Sequence, residues 1–331
     1  MEIGKRIKVQ AHRGGLGYRT EESLYAFANA IELGVDTLEM DSVFTSDGVP
    51  VIWHDHSILG TKCRGDYVGR YIANLTLDQV KSMDCGLQLV DFQQARVIPG
   101  TQIATLAEVL DLVNCYEDRT VTINLETKLD PTQPNQTLSV DTYINDIWPI
   151  VQSHGLASRT TIQSFDWRTL IGIKRKFPTV NTIVLTDPVK VVPSSDGTYP
   201  WLGGINLDKD FGGDFIAAAA SIHASAFSPL HGYAIDPVLG VQTGATQNTP
   251  GYLPFTTKDV VDRAHKFGLE VIPWTIDSEV LVEKLIDDGV DSIISDYPER
   301  VMWIARRKGY HVGRPTRPHH PECLAKASKP R

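Results

Sequence analysis

Glu39 and Asp41 stand two positions apart inside an apolar run that reads as a β-strand, Val35-Asp-Thr-Leu-Glu-Met-Asp-Ser-Val43. Side chains at i and i+2 of a strand leave on the same face, so both carboxylates look into one space. In apolar surroundings they repel unless something neutralises them. A divalent cation such as Mg or Ca does so directly through oxygen ligands. The plain alternative is a pair of surface charges at a strand end. Glu126-Thr-Lys128 repeats the arrangement on another strand. Neighbouring strands lie about 4.8 Å apart, so Glu126 can join Glu39 and Asp41 on one ion, leaving Lys128 to hold a phosphate oxygen. Otherwise Glu126 and Lys128 pair with each other.

His12-Arg13-Gly14-Gly15 follows the first apolar run, and His54-Asp55-His56 follows Val51–Trp53. The glycines let backbone approach a ligand closely. The planar guanidinium of Arg13 suits phosphate, and histidine exchanges protons near neutral pH. One histidine on each side of a phosphorus atom permits acid–base displacement: one activates the nucleophile and the other protonates the leaving alkoxide. His12 and His54 are the candidates, although a lone histidine is more often structural. Trp274 either walls such a pocket against an alcohol group or is an ordinary core indole. Asp296 either caps the last helix or touches substrate.

These residues need elements that bring them together. Strand-like runs alternate with helical periodicity, the signature of βαβ units. Strands are expected at Ile7–Ala11, Thr37–Val43, Val121–Glu126, Thr161–Ser164, Thr182–Leu185, Ala224–Ser228, Val271–Thr275 and Ser292–Ser295. Helices are expected at Ser23–Leu33, Leu106–Val113, Asp141–Gln152, Lys258–Lys266, Glu279–Asp288 and Pro298–Arg307. Eight strands with their helices predict a TIM (β/α)8 barrel over residues 6–312, because closure leaves no exposed sheet edge. A doubly wound open sheet is the alternative. Barrel active sites lie at the C-terminal ends of the strands, where all the candidate residues fall. Residues 57–104 are too long for a bare loop and are read as a small inserted subdomain, with a short helix Leu77–Met83. Residues 187–256 read as long loops over the barrel mouth around a helix Phe215–Ala220. The basic, proline-rich 313–331 reads as a flexible tail.

The formal net charge of −8 over 331 residues argues against non-specific nucleic-acid binding, which needs a basic surface. A phosphate substrate then needs a local positive site, which a divalent ion supplies economically. No apolar run is long enough to cross a membrane. The first ten residues have no apolar signal core. Four cysteines, Cys63, Cys85, Cys115 and Cys323, lack metal-site spacing. One or two disulfides and four free thiols all remain open. Nothing in the sequence specifies an oligomeric state.

With these residues assembled, the chain resembles the glycerophosphodiester phosphodiesterase family from His12 to about Pro298. The resemblance is carried by Ala11-His-Arg-Gly14, Glu21-Glu-Ser-Leu24, Gly34-Val-Asp-Thr-Leu-Glu-Met-Asp41, Thr45-Ser-Asp-Gly48, Val51-Ile-Trp-His-Asp55, Asn124-Leu-Glu-Thr-Lys128, Gln163-Ser-Phe-Asp166, Trp274-Thr-Ile-Asp277 and Ser295-Asp-Tyr-Pro298. It implies a barrel with an insertion after the second strand. It implies a Mg or Ca ion on Glu39, Asp41 and Glu126, and His12 and His54 as the acid–base pair, with Arg13 and Lys128 on phosphate. The implied reaction belongs to lipid metabolism: a small glycerophosphodiester is hydrolysed to glycerol 3-phosphate and an alcohol such as choline or ethanolamine. The family usually has Glu-Asn-Thr where this chain has Glu21-Glu22-Ser23, so Glu22 either adds negative charge near the site or turns outward. The wording around Gly17–Ser23 and Trp53–His56 is similar to fungal members, several of them secreted, which favours secretion over a cytoplasmic location. Two rival functions stand beside this one. A phospholipase D acting on lysophospholipids or sphingomyelin would need an apolar channel, for which Trp201, Phe211, Phe215 and Phe227 are candidates. A non-catalytic phosphate-binding barrel would be expected to have lost histidines or acids, and all are present.

Overall fold

The computed structural model describes residues 5–116, 120–235, 242–243, 245–313 and 321–327. Its main sheet has nine strands: β1 Lys8–Ala11, β2 Thr37–Phe44, β3 Pro50–Ile52, β4 Thr122–Thr127, β5 Thr160–Ser164, β6 Asn181–Thr186, β7 Ala226–Pro229, β8 Glu270–Val271 and β9 Ser292–Ser295. The parallel order is β8-β7-β6-β5-β4-β2-β1-β9, with β3 antiparallel on β2. Backbone hydrogen bonds from Asp291 N–H to Val271 O, Ile294 N–H to Pro273 O and Ile276 N–H to Ile294 O join the two ends. The sheet is therefore a closed eight-stranded barrel, and the doubly wound alternative falls.

The expected seventh strand, Val271–Thr275, is regular only over Glu270–Val271. The chain nevertheless stays alongside β7, since Ile272 and Trp274 donate to Phe227 O and Pro229 O. Pro273 lacks an N–H, but its turn in that alternation faces β9 and needs only its carbonyl.

Helices pack outside: α1 Leu24–Leu33, α2 Leu77–Lys81, α3 Leu106–Cys115, α4 Val140–Ser153, α5 Trp167–Lys176, α6 Leu207–Phe211, α7 Phe215–Ser221, α8 Lys258–Lys266, α9 Glu279–Asp288, α10 Pro298–Arg307 and α11 Pro321–Ala327. Alternation on the strands sorts the core. Val9, Leu38, Met40, Ile123, Leu125 and Ile162 belong to the apolar layer shared with the helices. Inside the barrel, one half is polar: Asn124 Nδ2 donates to Gln10 Oε1 and Gln163 Oε1 at 3.0 and 2.8 Å, and Gln10 Nε2 donates to Ser292 Oγ at 3.2 Å. The other half is apolar, with Ile183, Ala226, Ile272 and Ile294.

The sequence reading omits α5. Its four basic residues, Arg168, Lys174, Arg175 and Lys176, and its Gly172 mask a narrow apolar face of Trp167, Leu170 and Ile173. Gly172 is there because α4 is close: a Cβ would lie 2.2 Å from Ile144 Cδ1. The loops over the mouth also hold more order than expected. They carry α6, α7 and a small antiparallel sheet of Gly232–Ile235, Gln242–Thr243 and Leu253–Pro254. Residues after β2 surround a second small core, including Val51, Trp53, Ile58, Ile72, Val80 and Ile103. The Cys63–Cys85 disulfide stitches it.

The tail departs from expectation over Pro321–Ala327, which is helical. Cys323 there is buried and bonded to Cys115 of α3, an anchor that composition could not reveal. Residues 314–320 and 328–331 lie outside the described residues. Among the described residues no helix is long and apolar enough to cross a membrane.

The Cys115–Cys323 bond spans 208 residues and ties the tail to the barrel wall. Replacing both cysteines with serine should lower stability by about 2–4 kcal/mol. Differential scanning calorimetry under non-reducing conditions reads this as a lower Tm. An unchanged Tm would mean that the tail contributes nothing to holding the barrel.

Candidate active site

The register of the barrel assembles the site. β2 and β4 pair Asp41 with Glu126, and β4 and β5 pair Glu126 with Gln163. Ligand oxygens of Glu39, Asp41 and Glu126 lie within 4.8 Å of one another. The three residues are 2%, 1% and 6% exposed, so water cannot screen their mutual repulsion. The surface-charge alternative is thereby excluded. Arg13 N–H donates to Glu39 Oε2 at 2.9 Å and Gln163 Nε2 to Glu39 Oε1 at 2.7 Å. Lys128 Nζ lies 2.8 Å from Glu126 Oε1 and 3.6 Å from Asp41 Oδ1.

The protein's own cations satisfy only part of this charge. Burial pushes Asp41 up, but Lys128, His54 and Arg13 outweigh it and hold it well below the usual carboxylate range. Glu39 is pushed up to about 7 by burial and by Asp41. Glu126 rises to about 8, because burial and Asp41 together outweigh Lys128. Such a cluster, in which Glu39 and Glu126 are pushed up for want of positive charge while Asp41 stays ionised, suits a hard divalent cation. Asp41 Oδ2 supports the fit: it is buried and accepts no hydrogen bond.

β1 pairs Ala11 with Ser295, so the residues that follow, His12 and Asp296, meet. His12 Nδ1 lies 2.6 Å from Asp296 Oδ1. Asp296 is therefore the partner of His12; Tyr297 occupies the cap of α10. Burial lowers the His12 pKa, yet Asp296 more than compensates and the net shift is upward. Asp277 backs this pair by accepting Asp296 N–H at 2.9 Å. His54, in contrast, is pushed down to about 4 by burial, Lys128 and Arg13. Its Nδ1 lies 3.2 Å from Asp55 Oδ1.

Arg13 sits in a tight 3-10 turn, His12–Gly14, with φ 50°. The next residue must be glycine, since a Cβ on Gly14 would lie 2.7 Å from Ala26 Cβ of α1. This turn sends the Arg13 side chain back to Glu21 Oε2, at 2.7 Å, and Asp41 Oδ2, at 3.4 Å. Trp274 reaches the same pocket. Its Nε1 donates to Ser228 O at 3.0 Å, and its ring meets Phe165 edge-on at 5.4 Å. All eight residues singled out from sequence, His12, Arg13, Glu39, Asp41, His54, Glu126, Lys128 and Trp274, line one cavity of about 80 Å³.

The profile of the Glycerophosphoryl diester phosphodiesterase family matches residues 12–300. The chain belongs to this family. It is 25% identical over 305 residues to a glycerophosphodiester phosphodiesterase of Caldanaerobacter subterraneus subsp. tengcongensis, covering 91% of this chain and 98% of that protein. A crystal structure from Silicibacter pomeroyi, described as a candidate glycerophosphoryl diester phosphodiesterase, superposes with a TM-score of 0.74 at 27% identity, covering 93% of this chain and 96% of that one. An Oleispira antarctica phosphodiesterase, solved with its product sn-glycerol-3-phosphate, shares the fold with a TM-score of 0.63 at 21% identity, covering 90% and 96%.

Sequence reasoning did not find Asp277, Lys62 or the role of Gln163. Lys62 and Asp277 act through neighbours and are brought there by the insert's fold and by barrel closure, whereas Gln163 lines the cavity and is placed by the β4–β5 register.

The raised acids imply a pH signature. At about pH 6.5 the unfolded chain still binds about half a proton at each of His54 and His231, which are pushed down to about 4 when folded, and by about pH 8 it binds almost none there. Glu39, Glu126 and Asp277, with values of about 7, 8 and 7, hold protons in the folded state that the unfolded chain has already lost. The folded state then binds more protons, so stability must fall as pH rises through this window. With EDTA, Tm should drop from pH 6.5 to 8. Saturating Mg or Ca, which binds the ionised carboxylates, should raise Tm and flatten the slope. A Tm indifferent to both ions would rule out this cation site.

Proposed function

We propose that the chain is a metal-dependent phosphodiesterase that hydrolyses glycerophosphodiesters to glycerol 3-phosphate and an alcohol. The observation that carries this reading is the pair of histidines with opposite pKa shifts around one cavity that also holds three acids and two cations. When two titratable groups are driven apart in this way, their environments assign the roles. His54, neutral at pH 7, is the base that takes the proton of the attacking oxygen, which is either water or the neighbouring glycerol hydroxyl, whose cyclic phosphate water then opens. His12, whose pKa Asp296 raises, is the acid that delivers a proton to the leaving alkoxide as its bond to phosphorus breaks. Arg13 and Lys128 hold the non-bridging oxygens and stabilise charge that gathers on them. Glu39, Asp41 and Glu126 would hold the divalent ion, Mg or Ca, which when bound neutralises phosphate charge and lowers the pKa of a bound hydroxyl.

The cavity's size favours a small substrate. About 80 Å³ suits a phosphate and a few carbons rather than an acyl chain. The residues that might have formed an apolar channel for a lysophospholipid are committed elsewhere. Phe227 is fully buried, Phe215 stacks between Phe227 and Phe255, and Phe211 packs against the core beneath the helices. Only Trp201 stays near the mouth, beside Phe165 at 6.4 Å. We also propose that the protein works in an oxidising, extracellular setting, supported by two disulfides that account for all four cysteines.

His12→Ala and His54→Ala should each lower kcat for glycerophosphocholine by about a hundredfold or more, with the fold intact by circular dichroism. EDTA should abolish wild-type turnover, and lysophosphatidylcholine should be the poorer substrate. Near-wild-type activity in either histidine variant would overturn the assigned roles.

A further inference from the structure

The inserted segment after β3 sends one lysine towards the site. Lys62 Nζ lies 2.5 Å from Glu21 Oε1 and 2.6 Å from Asp55 Oδ2. Each carboxylate spends its other oxygen on a residue of the cavity. Glu21 Oε2 accepts from Arg13 at 2.7 Å, and Asp55 Oδ1 faces His54 Nδ1 at 3.2 Å. Lys62 is thus the hub of two arms, one ending on the phosphate-binding arginine and the other on a proton-transfer histidine. We propose that Lys62 is a positioning residue for the reaction, setting Arg13 and His54 relative to each other through Glu21 and Asp55.

The surroundings leave Lys62 little freedom. Its side chain is 14% exposed, and its Nζ lies 5.4 Å from the Trp53 ring centroid. Lys62 N–H donates to Leu59 O and Lys62 O accepts from Leu87 N–H. The next residue, Cys63, is bonded to Cys85. The backbone that carries the ammonium is therefore fixed on both sides. Burial alone would push both Glu21 and Asp55 up. Lys62, with Arg13 on the first and His54 on the second, reverses this and keeps each ionised. Without Lys62, the buried Glu21 and the half-buried Asp55 would face one another as two negative charges across the gap it leaves. They relieve this by moving apart or by one of them taking up a proton, and either change disturbs the partner that it holds. A displacement of about 1 Å in such a group costs up to about a hundredfold in rate.

The inference rests on the roles proposed for His54 and Arg13. Its test is steady-state hydrolysis of glycerophosphocholine by Mg-loaded Lys62→Met, Lys62→Arg and Lys81→Met proteins, with thermal melts of each. Lys81 belongs to the same insert and pairs with Glu108 at 2.5 Å, away from the cavity, so K81M reports on a loosened insert alone. K62M should lower kcat about tenfold or more and also raise KM, because both arms are released. K62R should recover most of both parameters. K81M should lower Tm while kcat and KM stay within about twofold of wild type. The inference falls if K62M matches an active wild type, or if K81M reproduces the kinetic losses of K62M. A wild type without turnover overturns the reaction and this inference together.

Discussion

Four acidic side chains, Glu22, Glu39, Asp41 and Glu126, are buried against one another at the C-terminal mouth of the barrel. Unpaired charges in such a place are costly, and the protein meets the cost in three ways. Lys128 and Arg13 approach Asp41 and keep it ionised. Amide and backbone donors from Gln163 and Arg13 fix both oxygens of Glu39. The remaining repulsion holds protons on the cluster, and a divalent cation can replace those protons. The acids are thus grouped as a hard divalent cation would require.

That electrostatic demand explains features of the fold that hydrophobic packing would not require. A barrel interior is usually filled by branched apolar side chains, and half of this one is. The other half carries a chain of amides, Gln163, Asn124 and Gln10, ending on Ser292. The direction of this chain is set from the top. A carboxylate can only accept, so Gln163 must present its NH₂ to Glu39 and its oxygen to Asn124. Every buried polar group in the chain then has a partner, and Glu39 is held in one orientation from beneath. The insert serves the same end from above, where Lys62 and Asp55 steady the groups that face the substrate.

The strand-end residues were legible in the sequence because period-two alternation and parallel pairing are local rules. Glu39, Asp41, Glu126 and Lys128 follow from them directly. His12 and Asp296 lie 284 positions apart, and their contact depends on closure of the first strand against the last. Sequence therefore offered a helix cap or a substrate contact for Asp296, and not its pairing with His12. The helix α5 was hidden because its apolar face is narrow and its basic residues dominate the composition. The tail helix was hidden because its anchor is a disulfide to α3, and four widely spaced cysteines do not reveal their pairing. For Asp296 and the tail helix the missing information was a contact between distant segments.

Glu22 shows how a departure from the family pattern is absorbed. Its backbone has φ 57°, a region in which asparagine is among the more tolerated residues, so the usual residue suits the turn. Glutamate here turns inward rather than outward, and its Oε1 accepts Asp41 N–H at 3.0 Å. Its Oε2 and Asp41 Oδ2 are both buried without a donor. Burial and the neighbouring Asp41 push Glu22 well above the usual carboxylate range. In its protonated form this acid offers one acceptor and one donor and adds no negative charge to a site that already has more than it can hold.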